Sequence, residues 1–194
     1  MAMNLTLRQG WVAVRLLLVM TVLVGIAYPF AMFAVGRIVS GTSDGSYVTD
    51  ASGRVVGSAL IGQSFEGDQW FWPRPSAAGD GYDALSSGGS NLAADNPNLV
   101  AAVGERQAAA AAANGVRSRD VPADAVTASG SGLDPDISPE YAEQQIRRVA
   151  AARGLETAQV SALVDEATQG RILGFIGEPR VNVLQLNLAL ENLA

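Results

Sequence analysis

The pattern of apolar and polar positions divides the chain into one long apolar segment and a more polar remainder. Residues 16–36 contain no charged side chain, and as a helix with a rise of about 1.5 Å per residue they would span roughly 31 Å. This length matches the roughly 30 Å hydrocarbon core of a bilayer. The segment is longer than the roughly 7–15-residue core of a signal peptide, so we favour a retained transmembrane helix. The alternative is a leader cleaved within residues 34–36.

Two residues inside the span are candidates for membrane packing. Gly25 would offer a smooth surface to a neighbouring helix, and Pro29 would kink the span because its nitrogen carries no hydrogen. The alternative is that both residues simply face lipid.

Charges on either side of the span predict its orientation. Arg8 and Arg15 precede it, whereas only Arg37 follows closely. Because positively charged flanks stay in the cytoplasm, residues 1–15 are predicted to be cytoplasmic and the rest of the chain extracytoplasmic. The predicted location is thus the cell membrane, crossed once.

The remainder predicts one α+β domain behind a tether. Residues 37–53 are rich in Gly, Ser and Thr, as tethers are, and residues 54–194 supply the domain. Strands are expected in residues 54–65 and 181–184, and a short helix after the second of them. Three further helices follow from cap residues and apolar spacing: Asn96-Pro97 to Gly115, Ser138-Pro139 to Gly154, and Thr157 to Gly170.

The chain has no Cys, no His and no Lys, which excludes most enzyme classes. Catalytic triads with His, His- or Cys-ligated zinc, Schiff bases and the P-loop lysine are all impossible. Only carboxylate chemistry, an unusually activated hydroxyl or an all-oxygen metal site would remain. We therefore predict no catalytic residues, and the protein is not expected to be an enzyme by itself.

The charge of the soluble part is strongly acidic. From residue 37 onward there are 11 Arg and 19 acidic residues, a net charge of 11 − 19 = −8. Such a surface disfavours nucleic acid and anionic lipid headgroups as partners.

The cluster Trp70, Phe71, Trp72 and Arg74 is a candidate docking patch, because aromatic residues and Arg are enriched at binding hot spots. Core packing, with Arg74 stacked on a ring, is the open alternative. The stretch from residue 73 to residue 98 is polar and rich in Gly and Ser, and a long irregular segment of this kind is usually functional or mobile.

Three other features are interpreted as ordinary structure. The acidic residues Asp120, Asp124, Asp134 and Asp136 fit turn chemistry better than a cation site, so no metal is predicted. The glycines in residues 85–90 and 129–132 fit turns better than phosphate loops, with Gly130 and Gly132 permitting unusual backbone angles. Arg147 and Arg148 are late in their helix, where cations suit the helix dipole.

The chain resembles the C subunit of Kdp-type potassium-transporting ATPases. Stretches that carry the resemblance run in order along the soluble part: GSALIGQ (57–63), the aromatic pair before RPSA (74–77), YD (82–83), SSGGSNL (86–92), VP (121–122), DAVTASGSGLD (124–134), ISP (137–139) and VNVL (181–184), with Ala142, Gln145 and residues 148–150. Together these matches are specific, although none would be alone. One departure is Asp136, where the family often has His or Asn.

The resemblance implies an accessory subunit of a high-affinity, ATP-driven potassium importer, whose partners are a channel-like potassium-binding subunit and a P-type ATPase subunit. It also implies a catalytic chaperone that raises the affinity of the ATPase subunit for ATP. Gln145 matches a residue proposed to touch nucleotide, and ATP would be present only within the complex. A domain outside the cell conflicts with direct contact, because ATP is cytoplasmic.

Partner docking is assigned to the aromatic cluster and to the Ser/Gly-rich stretch that contains Ser90 and Asn91. Two rival functions stay open. One is a membrane-anchored extracytoplasmic hydrolase that uses two carboxylates roughly 5–10 Å apart. The other is a membrane-anchored binding module without a transport partner.

Overall fold

A computed structural model describes residues 2–193, and the side chains of residues 4–193. The chain forms two compact units, Met1–Ser46 and Tyr47–Ala194. The architecture is α+β, with a long apolar N-terminal helix and a small domain that contains sheet, as predicted.

The N-terminal unit is helical almost throughout. Helix α1 (Ala2–Val22) continues through a π-helical turn (Leu23–Ala27) into α2 (Tyr28–Ile38), and a single turn, α3 (Ser40–Ser43), follows. The stretch Asn4–Ile38 has 35 residues, its most apolar 18-residue window has a mean hydropathy of 2.3, and none of that window is buried within the protein. It is long and apolar enough to cross a membrane, and it begins earlier than the predicted residues 16–36.

The π-helical turn contains Gly25 and ends two residues before Pro29, the two residues predicted to shape the span. The Tyr28 N–H donates to the Leu23 carbonyl, five residues earlier. We attribute this wider turn to Pro29, whose nitrogen cannot donate to the Gly25 carbonyl and whose ring would otherwise collide with it. A Cβ added at Gly25 would meet only Thr21 Cγ2, at the ordinary contact distance of 3.8 Å, so the helix backbone itself does not require a glycine there.

The second unit begins with a hairpin whose first strand lies inside the stretch predicted to be tether, residues 37–53, and whose second strand lies in the predicted strand region, residues 54–65. Strand β1 (Tyr47–Thr49) pairs antiparallel with β2 (Val55–Ser58). Asp50 closes the connecting turn, because its Oδ1 accepts the N–H groups of Ser52 and Arg54 at 2.9 and 3.0 Å. The boundary thus falls at residue 46 rather than 53, since an aromatic and two β-branched residues outweigh the surrounding Gly and Ser.

Helices α4 (Pro97–Asn114) and α5 (Pro139–Arg153) confirm the predicted cap signals. The Asn96 side chain accepts the Asn98 N–H, and that of Ser138 accepts the Tyr141 N–H. Both helices end at a left-handed glycine, as a C-terminal cap requires. Two 3-10 turns, Ser118–Asp120 and Ala123–Ala125, lie between the two helices.

The C-terminal part corrects two predicted boundaries. Helix α6 (Thr157–Ala167) is capped by Glu156 and Gln159 rather than by Thr157, and it gives way to strand β4 (Thr168–Gln169). The predicted strand at 181–184 is only partly a strand: β5 (Arg180–Asn182) ends where α7 (Val183–Glu191) begins. The reason is Asn182, whose side chain accepts the Gln185 N–H and starts the helix.

A small antiparallel sheet and three helices enclose the core. Strand β3 (Asp136–Ile137) and β4 flank the central β5, and α5, α6 and α7 pack around them. The chain from residue 59 to residue 96 contains neither helix nor strand, which confirms the long irregular segment. Its Phe71 nevertheless belongs to the core, with these fully buried side chains: Val149, Val160, Val164, Val181, Leu186 and Leu190.

Candidate functional site

The aromatic segment, residues 70–72, is divided between core and surface. Phe71 is completely buried, whereas Trp70 and Trp72 are half-buried. This is the alternation expected of an extended chain, whose successive side chains point to opposite sides. Phe71 therefore presents no surface to a partner, while the two tryptophans keep part of theirs.

Two buried amide side chains hold the backbone of the aromatic segment. Asn187 on α7 accepts the Phe71 N–H and donates to the Phe71 carbonyl, both at 2.9 Å. Gln145 on α5 does the same for Trp72: it accepts the N–H at 2.6 Å and donates to the carbonyl at 3.2 Å. Each amide thus replaces the neighbouring strand that the segment lacks. The irregular chain is thereby fixed to two helices.

Arg148 on α5 completes this arrangement, because its guanidinium holds the start of the same segment. It donates to the carbonyls of Asp68 and Trp70 at 2.8 and 3.0 Å, and to Gln145 Oε1 at 2.6 Å. It also lies 3.8 Å from the centre of the Trp72 ring. Burial lowers the pKa of Arg148, opposed by the nearby charge of Asp68.

Arg147 and Arg148 were both interpreted as cations favoured by the helix dipole, and for Arg148 that interpretation is wrong. Arg148 is 8% exposed and lies among polar backbone groups, whereas Arg147 is exposed. A buried guanidinium persists only where hydrogen bonds compensate for its lost hydration, and here the carbonyls of Asp68 and Trp70 and the side chains of Asn114 and Gln145 accept them.

Gln145 has no free polar atom in this structure. Its side chain is fully buried, its oxygen accepts two hydrogen bonds and its nitrogen donates to Trp72. A nucleotide could reach the amide only after these bonds broke and the Trp72 backbone moved away. The role of Gln145 toward nucleotide stays a prediction; its role within the domain is to hold Trp72.

Arg74, two residues after the aromatic segment, contacts the loops that contain Tyr82 and Asp134. Its Nη1 lies 2.8 Å from Asp134 Oδ2, and the Tyr82 hydroxyl donates to its backbone carbonyl. Burial raises the pKa of Tyr82 to about 12, against the opposing charge of Arg106. Arg74 is therefore held in place rather than stacked on a ring.

Two irregular stretches, residues 76–89 and 129–134, are joined by hydrogen bonds, one from a side chain to the backbone and one between backbone groups. Ser76 Oγ donates to the Gly132 carbonyl at 2.6 Å, and the Gly88 N–H donates to the Ser131 carbonyl at 2.8 Å. Gly132 has φ +68°, and a Cβ there would lie 2.6 Å from the Gly88 carbonyl oxygen. Glycine is needed because the two backbones approach so closely.

Ser90 and Asn91, the other predicted docking residues, follow this junction. Both are exposed, and Asn91 is in the left-handed region at φ +52°. No hydrogen bond joins them to the aromatic segment among the contacts of the described residues. Their docking role stays a prediction.

An acidic cleft of about 480 Å³ lies beside Arg74. Two of its carboxylates are paired with arginines, Asp134 with Arg74 at 2.8 Å and Asp136 with Arg180 at 3.0 Å. A third, Asp124, accepts the N–H and hydroxyl of Ser138 at 2.7 and 3.0 Å. Burial raises the pKa of Asp136, and the charge of Arg180 opposes this.

These carboxylates stabilise the start of α5 and the edge of the sheet, which fits the predicted turn chemistry. In the described part of the chain, no group of three or more acidic side chains is placed to hold a metal ion. A hydrolase would need one carboxylate free to give a proton and another free to attack or activate water. The pairings of Asp124, Asp134 and Asp136 do not favour that use.

Sequence reasoning missed Asn187 and Arg148 as organising residues. A signal for Asn187 was present: it interrupts the apolar stripe of α7, where Val183, Leu186 and Leu190 are buried. A lone amide at a core position implies a buried hydrogen-bond partner. The partner, Phe71, is 116 residues away along the chain, and only the structure reveals it.

The chain matches the model of the family described as K+-transporting ATPase, c chain, over residues 10–192. It is 58% identical to the potassium-transporting ATPase KdpC subunit of Kineococcus radiotolerans, over 100% of this chain and 98% of the relative. The protein of the same name from Mycobacterium bovis is 50% identical, over 96% and 99%. That from Caulobacter vibrioides is 54% identical, over 88% and 86%.

These matches cover both the apolar helix and the domain with its clamped aromatic segment, so they concern the whole architecture rather than one motif. This chain therefore belongs to the KdpC family, the c chains of potassium-transporting ATPases, and is a subunit of such a complex.

Proposed function

We propose that this chain is a non-catalytic accessory subunit that assembles with and stabilises the ion-translocating and P-type ATPase subunits. The observation that carries the proposal is the use of Gln145, Arg148 and Asn187, whose polar groups hold the backbone of the aromatic segment. These polar groups are occupied by the backbone of the segment, and in this role they make a docking surface rigid. A rigid surface loses less conformational entropy when a partner binds.

The orientation is part of the proposal: residues 1–15 on the cytoplasmic side and the domain outside the cell. Arg8 and Arg15 before the span and the net charge of 11 − 19 = −8 from residue 37 onward support it. The chain has no native thiol, so single cysteines report the topology directly.

We expect a membrane-impermeant maleimide to label a Ser118→Cys variant in intact cells, because Ser118 is exposed on the domain. An Asn4→Cys variant should react only after the membrane is permeabilised. Labelling of the second variant alone in intact cells would reverse the orientation.

We further propose that this subunit raises the ATP affinity of the ATPase subunit through the assembly, without touching nucleotide. The burial of Gln145 and the extracytoplasmic orientation support an indirect effect. A subunit that binds the ATP-competent conformation more tightly raises the ATP affinity by the same factor, as linkage requires.

The main test removes the chain from the complex. We expect the complex without it to purify with less of the two larger subunits, to lose potassium-stimulated ATPase activity and to bind ATP more weakly. A complex that assembles, hydrolyses ATP and binds nucleotide unchanged would refute the proposal.

Gly25 allows a second test, inside the membrane helix. An added Cβ at Gly25 would make only an ordinary contact with Thr21 Cγ2, at 3.8 Å, so we expect this chain to accept Gly25→Ile and any loss of partner subunits on purification to reflect packing against another helix. Gly10→Ile is the matched control, since it changes the same residue type in α1 before the predicted span, where a Cβ also meets nothing within 4 Å. Equal recovery for both variants would leave Gly25 facing lipid.

A further inference from the structure

A short hairpin between β4 and β5 exposes four large apolar side chains at its tip. We call residues 172–176 the apolar tip. Ile172, Leu173, Phe175 and Ile176 are 59, 79, 71 and 47% exposed. Only Gly174 separates the two pairs along the chain, so the four side chains form one group. Scattered apolar residues on a surface need no explanation, but a contiguous group of this kind marks an interaction site.

The apolar tip is a hydrogen-bonded turn rather than a loop without internal contacts. The N–H groups of Ile172 and Ile176 each donate to the carbonyl of the other residue at 2.9 Å. The Gly174 N–H donates to the Arg171 carbonyl at 3.1 Å. These hydrogen bonds hold the backbone of the hairpin in the conformation that exposes its side chains. Binding a partner would therefore cost less conformational entropy than ordering a loose loop.

The backbone is strained so that one of these side chains points outward. Leu173 has φ +54°, a region that residues with a Cβ rarely adopt; the adjacent Gly174 has φ +81°, and Gly177, just after the tip, has φ +80°. Asn or Gly would suit this position better for stability alone. The stability of the isolated domain therefore does not account for a leucine here, whereas contact with a partner would.

The charges around the tip argue against lipid as its occupant. Arg171 at the base is paired with Glu178 at 2.6 Å, and Arg180 with Asp136 at 3.0 Å. The soluble part has a net charge of 11 − 19 = −8, which anionic headgroups repel. Membrane-inserting loops usually have unpaired cations beside their apolar residues, and this one does not.

The size of the tip argues against a second copy of this chain. Four side chains cannot supply the roughly 800 Å² per partner that a free-standing interface needs. They are sufficient as one hot spot in an assembly held together by further contacts. A subunit of a membrane complex meets that condition, because its apolar helix confines it to the same bilayer as its partners.

We propose that the apolar tip docks into an apolar recess on the extracytoplasmic surface of another subunit of the same ATPase complex. The inference rests on the proposed function and adds to it the contact surface on this chain. It is separate from the aromatic segment, which lies on α5 and α7.

The decisive experiment replaces Phe175 with a photo-crosslinking phenylalanine analogue in the full chain, within the complete complex in native membranes. Crosslinks to one of the larger subunits support the proposal. Products with lipid, products with a second copy of the chain, or no product at all would overturn it.

A Leu173→Asn variant measures the strength of the contact without damaging the hairpin, because asparagine tolerates positive φ. We expect the affinity-tagged chain to bind its partner subunits about tenfold more weakly, at an unchanged or higher melting temperature. Val100→Gln is the control, since Val100 is 60% exposed on α4. Unchanged affinity for Leu173→Asn would equally overturn the proposal.

Failure of this inference is distinguishable from failure of the proposed function. If the wild-type chain purifies with the larger subunits but the tip neither crosslinks to them nor affects binding, only the tip assignment fails. If the wild-type chain does not purify with them, the proposed function fails.

Discussion

At the scale of single residues, the buried amides show how an irregular segment can belong to a core. Residues 70–72 have no neighbouring strand, and Gln145 and Asn187 satisfy the backbone groups of Trp72 and Phe71 instead. A buried N–H or carbonyl without a partner costs about 1–3 kcal/mol, so these two side chains determine whether the segment stays attached.

We expect Gln145→Ala to lower the free energy of unfolding by about 2–3 kcal/mol, because it leaves Trp72 and one Arg148 nitrogen without their acceptor. Urea unfolding of the full chain in detergent measures this. Glu143→Ala, an exposed position on the same helix, should change the stability by less than about 0.5 kcal/mol.

The same variant separates two roles of Gln145 within the complex. If the side chain touches nucleotide, Gln145→Ala should weaken ATP binding while the chain keeps its stability. The structure leads us to expect the reverse, a destabilised chain whose surviving complexes bind ATP with unchanged affinity.

At the scale of elements, loops rather than helices form the surface beside Arg74. Residues 76–89 and 129–134 have no regular secondary structure, and the contacts between their backbones replace it. Gly132 makes the closest of these approaches, whereas at Gly130 a Cβ would meet nothing within 4 Å. Sequence reasoning assigned both glycines to unusual angles, and this holds only for Gly132.

These two glycines give a matched pair of substitutions. Gly132→Ala should lower the free energy of unfolding by about 2 kcal/mol or more, from the left-handed backbone and the collision with the Gly88 carbonyl. Gly130→Ala should be nearly neutral, with a change of less than about 0.5 kcal/mol. Equal unfolding midpoints for the two variants would contradict the close approach.

At the scale of the whole molecule, the absence of Lys and Cys gives an unusually simple alkaline titration. With no Lys and no Cys, tyrosine is the side-chain type whose ordinary pKa, about 10, lies in the alkaline range below that of arginine. Burial raises the pKa of both Tyr82 and Tyr141 to about 12, and for Tyr141 it does so against the positive charge of Arg148.

The sign of the pH dependence follows from these shifts. In the unfolded chain both tyrosines ionise near pH 10, so the folded state holds more protons between pH 10 and 12. The stability contribution is fully present below about pH 10 and is lost as the pH rises toward 12. We expect urea midpoints to fall over that range, and less steeply in a Tyr141→Phe variant.

Ultraviolet absorbance of tyrosinate provides the parallel measurement for this prediction. Tyr82 and Tyr141 should ionise near pH 12, or earlier only where the domain unfolds. If both ionise near pH 10 while the domain stays folded, their burial is not as described.

The sequence by itself determined the elements whose signals are local. An apolar run predicts a span from length alone, and Asn96-Pro97, Ser138-Pro139, Gly115 and Gly154 bound two helices because caps and left-handed glycines act within one turn. The missing residue types excluded most chemistry, and the ordered motifs of the soluble part carried the family resemblance.

Only the tertiary structure decided what depends on contacts between distant parts of the chain. Phe71 and Asn187 are 116 residues apart, and Trp72 and Gln145 are 73 apart, so no local pattern reveals that each pair is joined. Arg148 is buried and hydrogen-bonded to the backbone before Phe71, whereas the adjacent Arg147 is exposed. The apolar side chains of the tip stay exposed because no other described part of the domain packs on them. The physical reason is that burial is a property of the folded whole, whereas propensity and capping belong to neighbours along the chain.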